Sequence, residues 1–140
     1  MSAQPVENLS PEQAWELLGG SVIARLAVSV DNYPDIFPLN IYAADGKILF
    51  WTAEGTKLSE LAVNSRVAVE TDAFTSRIGW SVVAKGHARI LTTSAEIEAA
   101  SKTPLDPWIP LPRTTYVEID VDEITGRRFV FGDDGDREIR

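Results

Sequence analysis

Residues 48–58, Ile-Leu-Phe-Trp-Thr-Ala-Glu-Gly-Thr-Lys-Leu, hold the densest chemistry in the sequence. An apolar strand pattern ends on Thr52, a tight glycine turn follows, and Thr56 and Lys57 open a helical pattern. Backbone N–H groups at a helix start, two threonine hydroxyls and a lysine ammonium make a cradle for an anion such as a phosphate. The run is not a Walker A loop, which needs a longer glycine-rich stretch before its Lys-Ser/Thr pair. The same residues also suit a solvated loop with Thr56 as a helix cap.

Four other groups have chemical potential. Trp51, Trp80 and Trp108 could form an apolar slot for a flat ring, or simply pack in a core. Lys85, His87 and Arg89 share one face of a strand, a basic stripe or a solvated outer face, and no carboxylate or metal partner for His87 is evident. Asp120, Asp122 and Glu123, and Asp133, Asp134 and Asp136, lack the spacing of a calcium loop, so surface charge is the better reading and no metal is expected. Arg127 and Arg128 follow Gly126. An arginine leaving a turn there could reach a phosphate or carboxylate, or the pair could offset acidic neighbours.

The elements that must position these residues follow from pattern. Ser10-Pro11-Glu12-Gln13 starts a short amphipathic helix that Gly19-Gly20 ends. Ile23 to Val30, Ile36 to Tyr42 and Lys47 to Thr52 read as strands separated by the turn residues Asp31-Asn32-Tyr33-Pro34 and Asp45-Gly46. Their spacing predicts an antiparallel meander. Thr56 to Val63 reads as a short helix, Arg66 to Thr71 as a strand, and Ile78 to Leu91 as a long strand with Gly86 at a bulge or close approach. Ser94 to Ser101 is helical, and the Pro-rich stretch Thr103 to Pro112 is a loop or linker. Tyr116 to Val121 and Arg127 to Phe131 are the closing strands. Six or seven strands with two or three short helices make a mainly β, α+β chain of barrel or sandwich type.

Composition bounds the rest. At 140 residues the chain is expected to form a single domain over 1–140, with flexible tails at 1–9 and 133–140. The formal net charge of −8 works against binding nucleic acid or anionic lipid. Zero cysteines and one histidine exclude disulfides, thiolate sites and a cysteine nucleophile, and disfavour histidine-rich zinc sites and Ser/His/Asp catalysis. No apolar run approaches the length of a membrane-spanning helix, and no signal peptide is visible, so a cytoplasmic protein is expected.

Four pieces in order resemble the flavin-binding split-barrel proteins related to pyridoxamine 5′-phosphate oxidase. They are Ala24-Arg25-Leu26-Ala27; Pro34 with Phe37-Pro38-Leu39-Asn40; Phe50-Trp51-Thr52 with Gly55-Thr56-Lys57; and Gly79-Trp80-Ser81-Val82-Val83 with Gly86. Ile124-Thr125-Gly126-Arg127-Arg128 is similar to the closing strand of small bacterial members, and the likeness runs from about Leu17 to Phe131. The resemblance implies a six-stranded split barrel, a homodimer, and FMN in the groove between subunits. It implies that Thr52, Thr56 and Lys57 hold the flavin phosphate, and that Trp51 lies beside the cofactor. Asn40 and Ser81 fall where the oxidases place a ring-side lysine and glutamine. Arg127 falls near the region that reaches across the dimer to the ring, while Arg25 has no assigned contact.

The oxidases carry an Arg-Lys pair where this chain has Thr56-Lys57, so Arg25 or Arg127 would have to supply the second charge. Their substrate-binding Arg and His residues are not recognisable here. An FMN-dependent oxidoreductase with an unidentified small-molecule substrate is therefore the expected function. The alternatives are a reductase using the deazaflavin F420, with Lys85, His87 and Arg89 as its basic groove, and a non-catalytic flavin- or haem-binding module.

Overall fold

In the computed structural model, which describes residues 5–52, 56–105 and 115–132 and the side chains of all of these but 56–58, the chain opens on a short strand. This strand, β1 (Val6–Asn8), falls within the stretch 1–9 expected as a tail; residues 1–4 of that stretch and the expected tail at 133–140 lie outside the described residues. Its polar residues give no strand signal because its pairing is through the backbone, to Phe129, Arg128 and Arg127. Helix α1 (Pro11–Gly19) follows, capped as the sequence requires. Ser10 Oγ accepts from Gln13 N at 3.2 Å, and Gln13 Oε1 accepts from Ser10 N at 2.9 Å, which is a complete capping box. Ala14 and Leu18 are its fully buried face.

Strands β2 (Ile23–Val30) and β3 (Tyr33–Asn40) form a hairpin through Asp31 and Asn32, whose φ values of 51° and 66° are those of a type I′ turn. Strands β4 (Tyr42–Ala44) and β5 (Lys47–Thr52) turn in the same way through Asp45 and Gly46, at φ 55° and 77°. Helix α2 (Thr56–Val63), strand β6 (Arg66–Phe74), strand β7 (Ile78–Ile90), helix α3 (Ser94–Ser101) and strand β8 (Thr115–Val130) complete the chain. Two differences from the sequence reading stand out at the end. Asp122 to Gly126 is not a turn, and the two expected closing strands are one strand of 16 residues.

The expected meander is also corrected. The strand order is β3-β2-β6-β7-β8-β5-β4, with β1 added on β8. Thus β3 and β4, separated only by Ile41, stand at opposite ends of the pairing order. One residue cannot span an open sheet of seven strands at about 4.8 Å each. The sheet must curl until the end of β3 at Asn40 reaches β4, and Ile41 is buried at that seam, while the rest of β3 pairs with β2 alone among the described strands. Eight strands are present among the described residues, two of them only three residues long, against the six implied by the resemblance. The class, a mainly antiparallel β-barrel with short helices, is as expected.

Alternation fills the barrel. Leu26, Ile48, Phe50, Val69, Val82, Val117 and Ile119 are fully buried inside it, each worth about 1.5–3 kcal/mol of transfer free energy. A smaller cluster of Leu49, Leu91 and Ala100 lies outside the wall, under α3. β3 is the exposed edge strand. It carries Pro34 and Pro38, and Tyr33 and Ile36 are 80% and 61% exposed. Among the described residues no helix is long and apolar enough to cross a membrane.

Candidate functional site

The site residues expected from sequence fall on two parts of the barrel surface. The first group is at the end of β5. Thr52 pairs with Thr115 and Trp51 with Tyr116. Because neighbours on a strand face opposite ways, Thr52 is turned inward and is 7% exposed, while Trp51 is half-buried on the outer face. A ligand on the outer surface therefore meets the Trp51 ring and not the Thr52 side chain. Thr56 and Lys57 form the first turn of α2, at the start expected from sequence, and their side chains lie outside the described set. Asn40 ends β3, opposite Ile23, and its Nδ2 donates to Val22 O at 3.4 Å. It sits one residue from the seam at Ile41, and extending the β4–β5 register by two residues sets it opposite Trp51.

The second group is on β7 and β8. Ser81 pairs with Arg127 on one side and Asp72 on the other, and Asn8 lies beyond Arg127. On β8, Arg127 stands twelve positions from Thr115, which corresponds to about 40 Å of extended strand. Around the barrel, β3 and β7 are three strand spacings apart, about 14 Å. One chain therefore brings Asn40, Trp51 and the start of α2 towards one seam, and Ser81 and Arg127 together elsewhere.

The second group includes acids that sequence reasoning passed over. Arg25 Nη1 lies 2.8 Å from Glu70 Oε1 and 3.3 Å from Asp72 Oδ2. The signal was available: Glu70 and Asp72 at i and i+2 share one face of a strand. The contacts remove Arg25 as a ready phosphate ligand, since its charge is already shared by two carboxyls. Burial pushes the Glu70 carboxyl above the ordinary value of 4.5; a hydrogen bond with Asp72 adds to this and the Arg25 hydrogen bond opposes it. The native protein thus holds this proton more tightly than the unfolded chain does. That contribution to stability is full below about 4.5 and is lost as pH rises through the raised value. Glu70→Gln should remove this slope. Urea midpoints of the two proteins should shift in the variant's favour as pH rises, and parallel profiles would refute the assignment.

Helix α2 carries a second shifted acid, Glu60. Burial, then a hydrogen bond with Asp35, raises the Glu60 carboxyl from its ordinary value. Glu60 is one turn after Lys57, and a carboxyl that keeps its proton longer repels a bound anion less.

The basic stripe has partners. Arg89 Nη1 lies 2.6 Å from Glu96 Oε2, and Arg89 Nη2 lies 3.1 Å from Glu118 Oε1. His87 Nδ1 faces Asp122 Oδ2 at 3.6 Å, too long for a hydrogen bond, so the histidine does have a carboxylate neighbour. Asp120 is held by Lys47 Nζ at 2.6 Å. Among the described residues no group of three His, Cys, Asp or Glu is placed to hold a metal ion. Nor is there a shared tryptophan slot between the two described members: Trp80 packs against the barrel core, Trp51 faces out, and Trp108 lies outside the described residues. The most exposed large apolar residues among those described are Tyr33, Phe74, Val63 and Ile36, while Trp80 is half-buried.

Comparisons with known proteins agree with this fold. A profile of the pyridoxamine 5′-phosphate oxidase family matches residues 10–128. Uncharacterized protein Rv3129 of Mycobacterium tuberculosis is 41% identical over 90 residues, covering 64% of this chain and 82% of that protein. A Corynebacterium glutamicum protein provisionally named a pyridoxamine 5′-phosphate oxidase has a similar crystal structure. Its TM-score is 0.84 at 34% identity, over 95% of this chain and all (100%) of that one. The structure of the FAD binding protein from Mycobacterium smegmatis is similar at TM-score 0.79 and 38% identity, over 90% of this chain and 100% of that one. With its barrel and a profile match over residues 10–128, the chain belongs to the pyridoxamine 5′-phosphate oxidase family.

Proposed function

We propose that the protein is a flavin-dependent oxidoreductase that works as a homodimer, with FMN bound in grooves between the two copies. The observation that carries this reading is the separation of the two residue groups. Lys57, Thr56, Trp51 and Asn40 belong to one part of the barrel and Ser81 and Arg127 to another, so one chain alone does not enclose a ligand with all of them. A second copy related by two-fold symmetry brings the second group of one chain to the first group of the other. The exposed outer face of β2 and β3 sets Ile23, Pro34, Ile36 and Pro38 around the ion-paired Arg25, a mixed surface with an apolar part suited to such a contact. The FAD-binding relative at 38% identity supports a flavin as the ligand.

In this arrangement the start of α2 holds the phosphate through backbone N–H groups, with Lys57 supplying charge and Thr56 a hydroxyl. Thr52 closes the barrel mouth behind that turn. Trp51 covers one side of the cofactor and excludes water. Asn40 and the partner's Ser81 and Arg127 orient the ring by hydrogen bonds. The bound flavin supplies hydride or electron transfer. The substrate is proposed to differ from pyridoxamine 5′-phosphate, because Asn40 and Ser81 stand where the oxidases carry lysine and glutamine. F420 is less well supported, since Arg89 of the basic stripe is already engaged by Glu96 and Glu118.

The test is a titration of purified protein with FMN, FAD and F420, followed by removal of free ligand and a visible spectrum. Retention of FMN at one per chain is expected. Protein that stays colourless with every flavin would overturn the reading.

A further inference from the structure

A groove of ≈ 320 Å³ opens on β6, β7 and β8, and none of the roles above uses its aromatic walls. Gly79 forms its floor. Phe74 on β6 and Phe129 on β8 are the direct cross-strand partners of Gly79, so they stand on either side of a position with no side chain. A Cβ built at Gly79 would lie 3.0 Å from Phe74 Cβ and 3.3 Å from Phe131 Cζ, so both residues close on this floor. Phe74 is 78% exposed, an unusual amount for a phenylalanine held in a strand. Ser81 continues the floor, and Asp72 is the one ionisable residue among those described that line the groove. Asp72 shares the Arg25 guanidinium with Glu70, so one cation serves two acids at this end.

The chemistry of such a groove is specific. Phenyl faces attract flat rings and cations. A carboxylate at the end favours a donor and disfavours an anion. We propose that the groove over Gly79 is a subsite for a flat ring bearing a cationic or hydrogen-bond-donating nitrogen. The ring lies against Phe74, Phe129 and Phe131, and the nitrogen faces Asp72. The assignment of this ligand as the substrate rests on the flavin reading, because Ser81 belongs to both the groove and the proposed ring contacts. The binding itself does not.

The experiment uses the full chain, with and without FMN, and three probes measured by calorimetry. Benzamidine is flat and cationic, benzoate flat and anionic, cyclohexylamine cationic and not flat. Saturable benzamidine binding with Kd of order 1 mM is expected, as for a small fragment. Benzoate and cyclohexylamine should each bind at least about tenfold more weakly. Asp72→Asn should weaken benzamidine about tenfold, and Phe74→Ala about fivefold. Phe74 is exposed, so its truncation leaves the fold intact.

Absence of saturable binding would mean that the phenylalanines only shield Gly79. Equal binding of benzamidine and benzoate, or no effect of Asp72→Asn, would remove the role of the acid. If Phe74→Ala dissociates the protein, the groove is a seam between copies; if it weakens FAD but not FMN, the groove belongs to an adenine. Each of these overturns the proposal. The FMN titration run alongside reports separately on the flavin reading, which stands or falls on colour.

Discussion

Gly86→Ala should lower the melting temperature by about 10–20 °C, from a stability loss of about 3–5 kcal/mol. A Cβ at Gly86 would collide with the Asp120 carbonyl oxygen, and would stand 2.8 Å from Asp120 C and 3.0 Å from Val121 Cα. All three are backbone atoms, so no side-chain rotation relieves the contact. The pairing of β7 with β8 shifts register between Lys85 and Gly86, and it is this shift that presses the two backbones together. The rest of the barrel depends on the same ladder, which aligns Ser81 with Arg127. Gly46→Ala is the control. Gly46 has φ 77° but nothing within 4 Å of a built Cβ, so only backbone strain is added, about 1 kcal/mol. Thermal unfolding followed by circular dichroism measures both. A Gly86→Ala protein that melts with the wild type would refute the close-approach account.

Lys57→Ala and Arg127→Ala should each weaken FMN binding by about 10–100-fold, the loss of one charge-assisted contact. Their mixture should then recover what neither variant has. If the site takes Lys57 from one chain and Arg127 from the other, a mixed dimer has one intact groove and one doubly altered groove. Random exchange of subunits makes about half of the dimers mixed, so about a quarter of all grooves should regain wild-type affinity. Flavin fluorescence quenching, at an FMN concentration that fills only wild-type sites, reads this fraction. Failure to recover binding after the chains have demonstrably exchanged would place both residues in one chain's site or in none.

Much of the fold was legible because its signals are local. Ser10 and Gln13 mark the start of α1, Asp45-Gly46 marks a type I′ turn, and Gly86 marks a close approach; each depends on a few adjacent residues. The misreadings came from long-range pairing. Val6–Asn8 is a strand only because β8 offers its edge. Asp122 to Gly126 has turn composition, yet the extra residue of the bulge lets β8 continue straight through it. Strand order could not be read from spacing either, since Ile41 joins two strands without reversing the chain. For the site, the start of α2 was foreseen from Gly55-Thr56-Lys57. The separation of Trp51 from Ser81 and Arg127 is a property of register, which no motif states.

The exposed edge of the barrel limits how copies can meet. Pro34 and Pro38 lie four apart on β3, hence with the same orientation, and proline has no N–H to offer. In an edge strand such residues occupy positions whose N–H would point away from the neighbouring strand. Along the free side of β3, two donors of the ladder are therefore missing. A foreign strand laid there would leave carbonyls unanswered, so continuous edge-to-edge growth of the kind that leads to fibrils is blocked. With Tyr33 and Ile36 exposed beside this edge, the protein can keep a sticky surface for flat, face-on association and still resist aggregation through its backbone.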